Sequence, residues 1–212
     1  MCSVFKPTQD ATWVRNQFGV DLPEHAKTDV YPGHLAPIIV KSHRDARIAA
    51  GLARFGLIPA WSKDDKISRH TYNARTETVA EKPSYRSAWR SRHFAVVLAD
   101  SFYEPCYETG RAVRWEIRQS NHESFGIAGL WDRWINPATG EVVASFTMLT
   151  INANDHPVMQ RFHKPEDEKR TPVVLSIDKY FSWLDATSDT ARELLRLELM
   201  PQLSAEPVDV GR

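Results

Sequence analysis

The chain has 212 residues, a formal net charge of zero and 42% hydrophobic residues including seven Trp, enough for one domain with a real core. No apolar run nears the roughly 18 residues of a membrane span, and no basic-then-apolar leader opens the sequence, so a cytoplasmic protein without membrane partners is expected. Two cysteines, Cys2 and Cys106, supply neither a disulfide framework nor a Cys-x-x-Cys metal knuckle, and neither metal nor cofactor is expected.

In chain order, Thr8 precedes Gln9-Asp10-Ala11, and Trp13, Val14 and Phe18 share one helical stripe ended by Gly19: a capped, stopped helix. Residues 23–37 are turn-rich, Ile38-Ile39-Val40 reads as a strand, and Leu52 to Ile58 as another, ended by Pro59. Residues 73–81 are polar, and Ser84 to Ser91 predicts a short helix. Strands follow at Phe94–Ala99, Ser101–Tyr107, Val113–Arg118, Phe125–Leu130, Ala144–Ile151 and Val173–Leu175, with turn signals at Glu108-Thr109-Gly110 and Pro137–Gly140. Ser176–Leu184 and Ser188–Leu199 predict amphipathic helices. This order predicts an α+β fold with a curved, mainly antiparallel, barrel-like sheet flanked by helices, one domain over 1–212 ending in a helical extension from about 184.

Charge is uneven. Arg69, Arg75, Lys82, Arg86, Arg90 and Arg92 outweigh Glu77 and Glu81, while Asp185, Asp189, Glu193, Glu198, Glu206 and Asp209 outweigh Arg192 and Arg196. A neutral total can therefore hide a basic face, or this is ordinary solvated surface.

Cys2 poses a chemical question. Removal of Met1 before so small a residue leaves an α-amine and a thiol on adjacent carbons, a reagent for aldehydes. Cys2, Ala36-Pro37, Phe55 to Pro59 with Trp61, Tyr72-Asn73-Ala74-Arg75-Thr76-Glu77, Ser101-Phe102-Tyr103-Glu104-Pro105, and His163 followed by Arg170-Thr171-Pro172-Val173-Val174-Leu175 occur in one order. Together, over residues 2 to about 183, they resemble the SRAP family, the SOS-response-associated peptidases or abasic-site-processing proteins. Departures from its pattern are Ser3-Val4 for Gly-Arg, Pro105 for Trp, Thr171 for Met, and an insertion from Lys164 to Lys169.

The resemblance implies a sensor of abasic sites in single-stranded DNA, whose Cys2 amine and thiol close a thiazolidine on the open-sugar aldehyde, shielding the lesion from strand cleavage; a monomer is expected, since closing over a flexible lesion needs no symmetric site. It implies catalytic roles for Cys2, Asn73, Glu104 and His163: Asn73 bonding near the sugar, Glu104 shuttling protons and His163 acting as acid–base. DNA contacts are implied at Arg75, Arg170, Trp61 and Pro37, with Arg86 and Arg90 as further phosphate contacts. Each has an ordinary counterpart: a turn for Asn73, a salt-bridged strand for Glu104, core packing for Trp61, surface ion pairs for Arg86 and Arg90. Glu77 is expected to anchor Arg75. His156 competes with His163 but reads as a helix start, with Asn154 or Asp155 capping and Pro157 in the first turn. Cys106 reads as a buried strand thiol. The alternatives are a cysteine or N-terminal-nucleophile peptidase, including one that only releases its own Met1, and a noncovalent single-stranded-DNA-binding module.

Overall fold

A computed structural model describes residues 2–26, 28–42 and 44–208; Met1 and Asp209, which figure in the expectations above, lie outside them. In chain order the elements are β1 (Phe5–Pro7), α1 (Ala11–Phe18), β2 (Leu35–Lys41), β3 (Ile48–Phe55), β4 (Asn73–Arg75), α2 (Arg86–Arg90), β5 (Phe94–Cys106), β6 (Val113–Gln119), β7 (Phe125–Ile135), β8 (Val142–Asn152), β9 (Arg170–Pro172), β10 (Val174–Leu175), α3 (Tyr180–Asp185), α4 (Ser188–Leu194) and β11 (Leu203–Pro207).

Five strands close a barrel. β2 pairs with β3 and β5, β5 with β7, and β7 with β8, all antiparallel; β8 returns to β3 in parallel. Closure removes the free edges of the central strands. Alternation along the strands divides the core in two. One set, including Phe5, Ile38, Phe55, Val97, Ile127, Phe146 and Met148, packs across the ring, with Phe55 and Phe146 stacked at 5.2 Å. The other, including Ile39, Val96, Leu98, Ala128 and Leu149, meets the helices through Trp13, Phe18, Trp89, Tyr180 and Trp183. Burial on both faces is why these strands read as near-continuous apolar runs. No described helix is long and apolar enough to cross a membrane.

The ends of α1 follow from local chemistry. The Asp10 carboxylate accepts from Trp13 N–H at 2.8 Å, the Thr8 hydroxyl accepts from Asp10 N–H, and Gly19 closes the helix in the left-handed region. Gly56 matters more. Its φ is +109°, and a Cβ there would lie 2.0 Å from the Ser68 carbonyl oxygen. Gly56→Ala is therefore expected to destabilise the fold by about 2–4 kcal/mol through backbone strain and overpacking, measured as the urea midpoint.

Several expectations are corrected. The runs at 94–99 and 101–107 are one 13-residue strand, because Asp100 accepts from the Ser124 hydroxyl at 2.6 Å instead of turning the chain. β3 starts earlier than expected and stops at Phe55, where Gly56 rather than Pro59 ends it. Residues 73–75 form a short strand against β8. The helix expected over 188–199 stops at Leu194 and is followed by a 3-10 turn at Leu197–Leu199, and the helical extension gives way beyond Pro201 to β11, paired with β6.

Candidate active site

The N-terminal segment is tied down by its backbone. Val4 C=O accepts from Tyr103 N–H at 3.0 Å, and Phe5 and Val30 exchange two hydrogen bonds. These bonds use no side chain, so Ser3-Val4 can seat Cys2 in place of Gly-Arg. Cys2 is fully buried, and its thiol donates to Val4 C=O at 3.5 Å. Burial, and then the nearby Glu104 carboxylate, push the thiol well above its ordinary range.

β4 carries Asn73 to this segment. Parallel pairing with β8 sets its height, Tyr85 OH donates to the Asn73 carbonyl at 2.9 Å, and Asn73 Nδ2–H donates to Cys2 C=O at 2.6 Å. Glu104 lies on β5 beyond the barrel, where the strand has exchanged β2 and β7 for β1 and β6 as neighbours. It points to the same face as Phe102 and Cys106, 1% exposed, and burial pushes its carboxyl up to about 7.

His163 completes the group. Its N–H donates to Pro105 C=O at 3.0 Å, a bond that needs only the proline's carbonyl. Its Nε2 lies 3.0 Å from Arg170 C=O and its Nδ1 3.4 Å from Glu104 Oε2. A carbonyl oxygen can only accept, so Nε2 carries the hydrogen and the Nδ1 of a neutral ring turns its lone pair toward Glu104. Burial lowers the imidazole's pKa as it raises the carboxyl's. The pair is thus built to hold one proton between carboxyl and ring.

This has a consequence for stability. The folded chain binds the Glu104 proton more tightly than the unfolded chain, so this group costs stability as pH rises from 4.5 to about 7. Gln cannot titrate. Relative to the wild type, Glu104→Gln is expected to gain about 2 kcal/mol between pH 5 and pH 7.5, read from denaturation midpoints at the two pH values.

The other predicted residues are distributed differently. Arg170 is 2% exposed; its Nη2 reaches Glu77 at 2.8 Å and Thr150 C=O at 2.7 Å, and its Nη1 reaches Glu168 at 2.6 Å. Glu77 therefore anchors Arg170, not Arg75 as expected; Arg75, half exposed, pairs with Glu168 at 2.8 Å. Trp61 is 59% exposed, its indole N–H donating to Pro83 C=O at 3.2 Å. Pro37 is buried in β2 opposite Leu52, and Arg86 and Arg90 are exposed on α2. Cys106 is buried on β5. The 164–169 insertion is pinched at its base by the His163–Arg170 bond, while Lys169 Nζ donates to the carbonyls of His163 and Lys164.

His156 is a cap of another kind than expected: its own Nδ1 accepts from the Val158 and Met159 amides at 3.1 and 3.2 Å. It borders a groove of about 460 Å³ between residues 155–158 and 197–203 that includes none of Cys2, Asn73, Glu104 and His163. Tyr72 went unremarked as a site residue. It is half-buried, and burial, Cys2 and Glu104 all make its hydroxyl less acidic, which places it at the same site; adjacency to Asn73 was the available signal.

The profile of the SOS response associated peptidase (SRAP) family matches residues 1–210. The chain is 31% identical over 207 residues to abasic site processing protein YoqW of Bacillus subtilis (strain 168), covering 95% of this chain and 87% of that one. It is 30% identical over 166 residues to abasic site processing protein HMCES of Gallus gallus, covering 68% of this chain and 47% of that protein. A crystal structure of a protein from Bordetella bronchiseptica superposes with a TM-score of 0.86 at 32% identity, over 99% of this chain and all of the other. On this agreement of sequence and architecture, the chain belongs to the SRAP family.

Proposed function

We propose that the protein processes abasic sites in single-stranded DNA by forming a covalent thiazolidine through Cys2, acting as a monomer. The observation that carries the reading is the meeting of Cys2, Asn73, Glu104 and His163 from four separated segments. The named relatives, abasic site processing proteins, support the substrate.

Loss of Met1 creates the α-amine beside the buried thiol. With a reference pKa of about 7.7–8.0, part of it is neutral at pH 7. Its lone pair attacks the aldehyde carbon C1′ of the opened deoxyribose, giving a carbinolamine. The Glu104–His163 pair supplies a proton to the departing hydroxyl, which leaves as water, and takes up the proton that the nitrogen releases as the imine forms. The Cys2 sulfur then adds to the same carbon; its proton passes by way of Glu104 to the nitrogen, and the five-membered ring closes. Asn73 holds the Cys2 carbonyl, so both nucleophiles stay fixed at the reacting carbon. Ring closure removes the imine, the species that promotes β-elimination and strand breakage. Arg75, Trp61, Arg86 and Arg90 lie exposed and suit contact with phosphates and bases. For Arg170 and Pro37, burial favours supporting the site over touching DNA directly.

The peptidase alternative needs a thiolate activated by a base. Here the thiol donates to Val4 C=O, burial and Glu104 disfavour its ionisation, and the His163 Nδ1 turns to Glu104 rather than to the thiol.

The test is incubation with an oligonucleotide bearing one abasic site, followed by a denaturing gel and intact mass. The expected product has the mass of the Met1-less protein plus DNA, less one water. DNA binding without any denaturation-resistant product overturns the covalent reading in favour of a binding module.

A further inference from the structure

We infer that the Arg161 guanidinium, lying on the Trp115 indole, is a stacking seat for the nucleobase adjacent to the lesion; this rests on the reading that the chain engages single-stranded DNA. Trp115 on β6 stands directly opposite Glu104 on β5, so the two side chains are neighbours on one face of the sheet. The bridge between Cys106 and Phe162 pins the following segment over this pair of strands, with Phe162 edge-on to Trp115 at 6.0 Å. That brings the Arg161 guanidinium carbon to 4.7 Å from the indole centroid.

Glu108 takes Arg161 Nε–H and Nη2–H in a fork, both at 2.9 Å. The fork has two effects. It spends edge donors and neutralises charge, which makes the group a poor phosphate anchor. It also fixes the orientation of a planar, delocalised group whose inner face rests on Trp115, while 37% of the side chain stays open to solvent. A weakly hydrated plane of this kind, already immobilised, suits another flat π-system: a heterocyclic base. Arg161 precedes His163 by two residues, so a base seated there belongs to a nucleotide next to the sugar at Cys2. An abasic nucleotide has no base of its own, and its neighbours' bases are what remain to be gripped without regard to sequence.

The experiment uses single strands carrying a tetrahydrofuran abasic analogue, which has no aldehyde, flanked either by ordinary bases or by further tetrahydrofuran residues. Affinities are measured at fixed salt for the wild type, Arg161→Ala and Arg161→Lys. On base-flanked DNA both variants are expected to bind about tenfold more weakly, since Lys keeps the charge but not the plane. On DNA without flanking bases, both should match the wild type. Equal losses on the two DNAs, wild-type affinity of Arg161→Lys for base-flanked DNA, or no wild-type binding to that DNA each overturns the inference. The covalent reading is judged separately, by adduct formation with aldehyde-bearing DNA.

Discussion

Cys2→Ala is expected to reduce the denaturation-resistant adduct with abasic single-stranded DNA to background. Alanine keeps the α-amine, so the variant can still condense with the aldehyde, but the reaction stops at the imine, which water reverses. Borohydride reduction during incubation should therefore recover a covalent product from Cys2→Ala, now a secondary amine, and this recovery distinguishes a missing second nucleophile from a misfolded protein. The variant removes only a buried sulfur whose bond is to Val4 C=O, while the backbone bonds from Val4 and Phe5 remain. Noncovalent affinity for DNA should change little. A wild-type yield of stable adduct from Cys2→Ala would sink the thiazolidine mechanism. Protein that retains Met1, identified by intact mass, should be equally inert, because it has a thiol but no adjacent amine.

Arg170→Ala should give the largest loss of stability among the predicted site residues. The guanidinium is buried, and it joins β9 to Glu77, Glu168 and Thr150. Removing it leaves a cavity and takes one of two donors from the Thr150 carbonyl, which keeps Thr76 N–H at 3.0 Å. Because Glu77 and Glu168 are 50% and 37% exposed, water can rehydrate their carboxylates, which brings the usual cost of breaking a buried pair down to about 2–3 kcal/mol. For a chain of this size, each kcal/mol lowers Tm by about 2–4 °C. The urea midpoint checks the value, and a loss under about 0.5 kcal/mol would show that the network is dispensable. The Arg170 carbonyl, which holds His163, survives in any variant, so the effect on adduct formation should be slower ring closure from a looser loop rather than loss of the chemistry.

Much of the barrel was legible in the chain. Val96 to Ala99, Phe125 to Leu130 and Ala144 to Ile151 are apolar for long enough to announce buried strands, and Gly110 and Gly140 mark turns between them by their positive φ. The short strands were not legible. Asn73–Arg75 and Phe5–Pro7 have three residues each, too few for a period to emerge, and they are strands only because β8 and β5 offer paired edges. Likewise, Asp100 resembles a turn residue until Ser124 from a distant segment satisfies it.

The same division runs through the candidate site. The scarce thiol at the second position drew attention to Cys2 by itself, whereas Asn73, Glu104 and His163 were singled out by the resemblance of their ordered motifs to the SRAP family; read alone, Asn73 suits a turn and Glu104 a salt-bridged strand. The proton arrangement was decided by tertiary structure. Glu104 titrates near 7 because the fold removes water from it, and His163 turns Nδ1 toward it because Arg170, across an insertion, offers a carbonyl to Nε2. The partner of each charge was also a tertiary decision: Glu77 met Arg170 and Arg75 met Glu168, pairings that sequence proximity had suggested otherwise. Covalent identity is local and can be read along the chain. Desolvation and ion pairing depend on which distant atoms the closed barrel brings within a few ångströms, and only the folded chain specifies those.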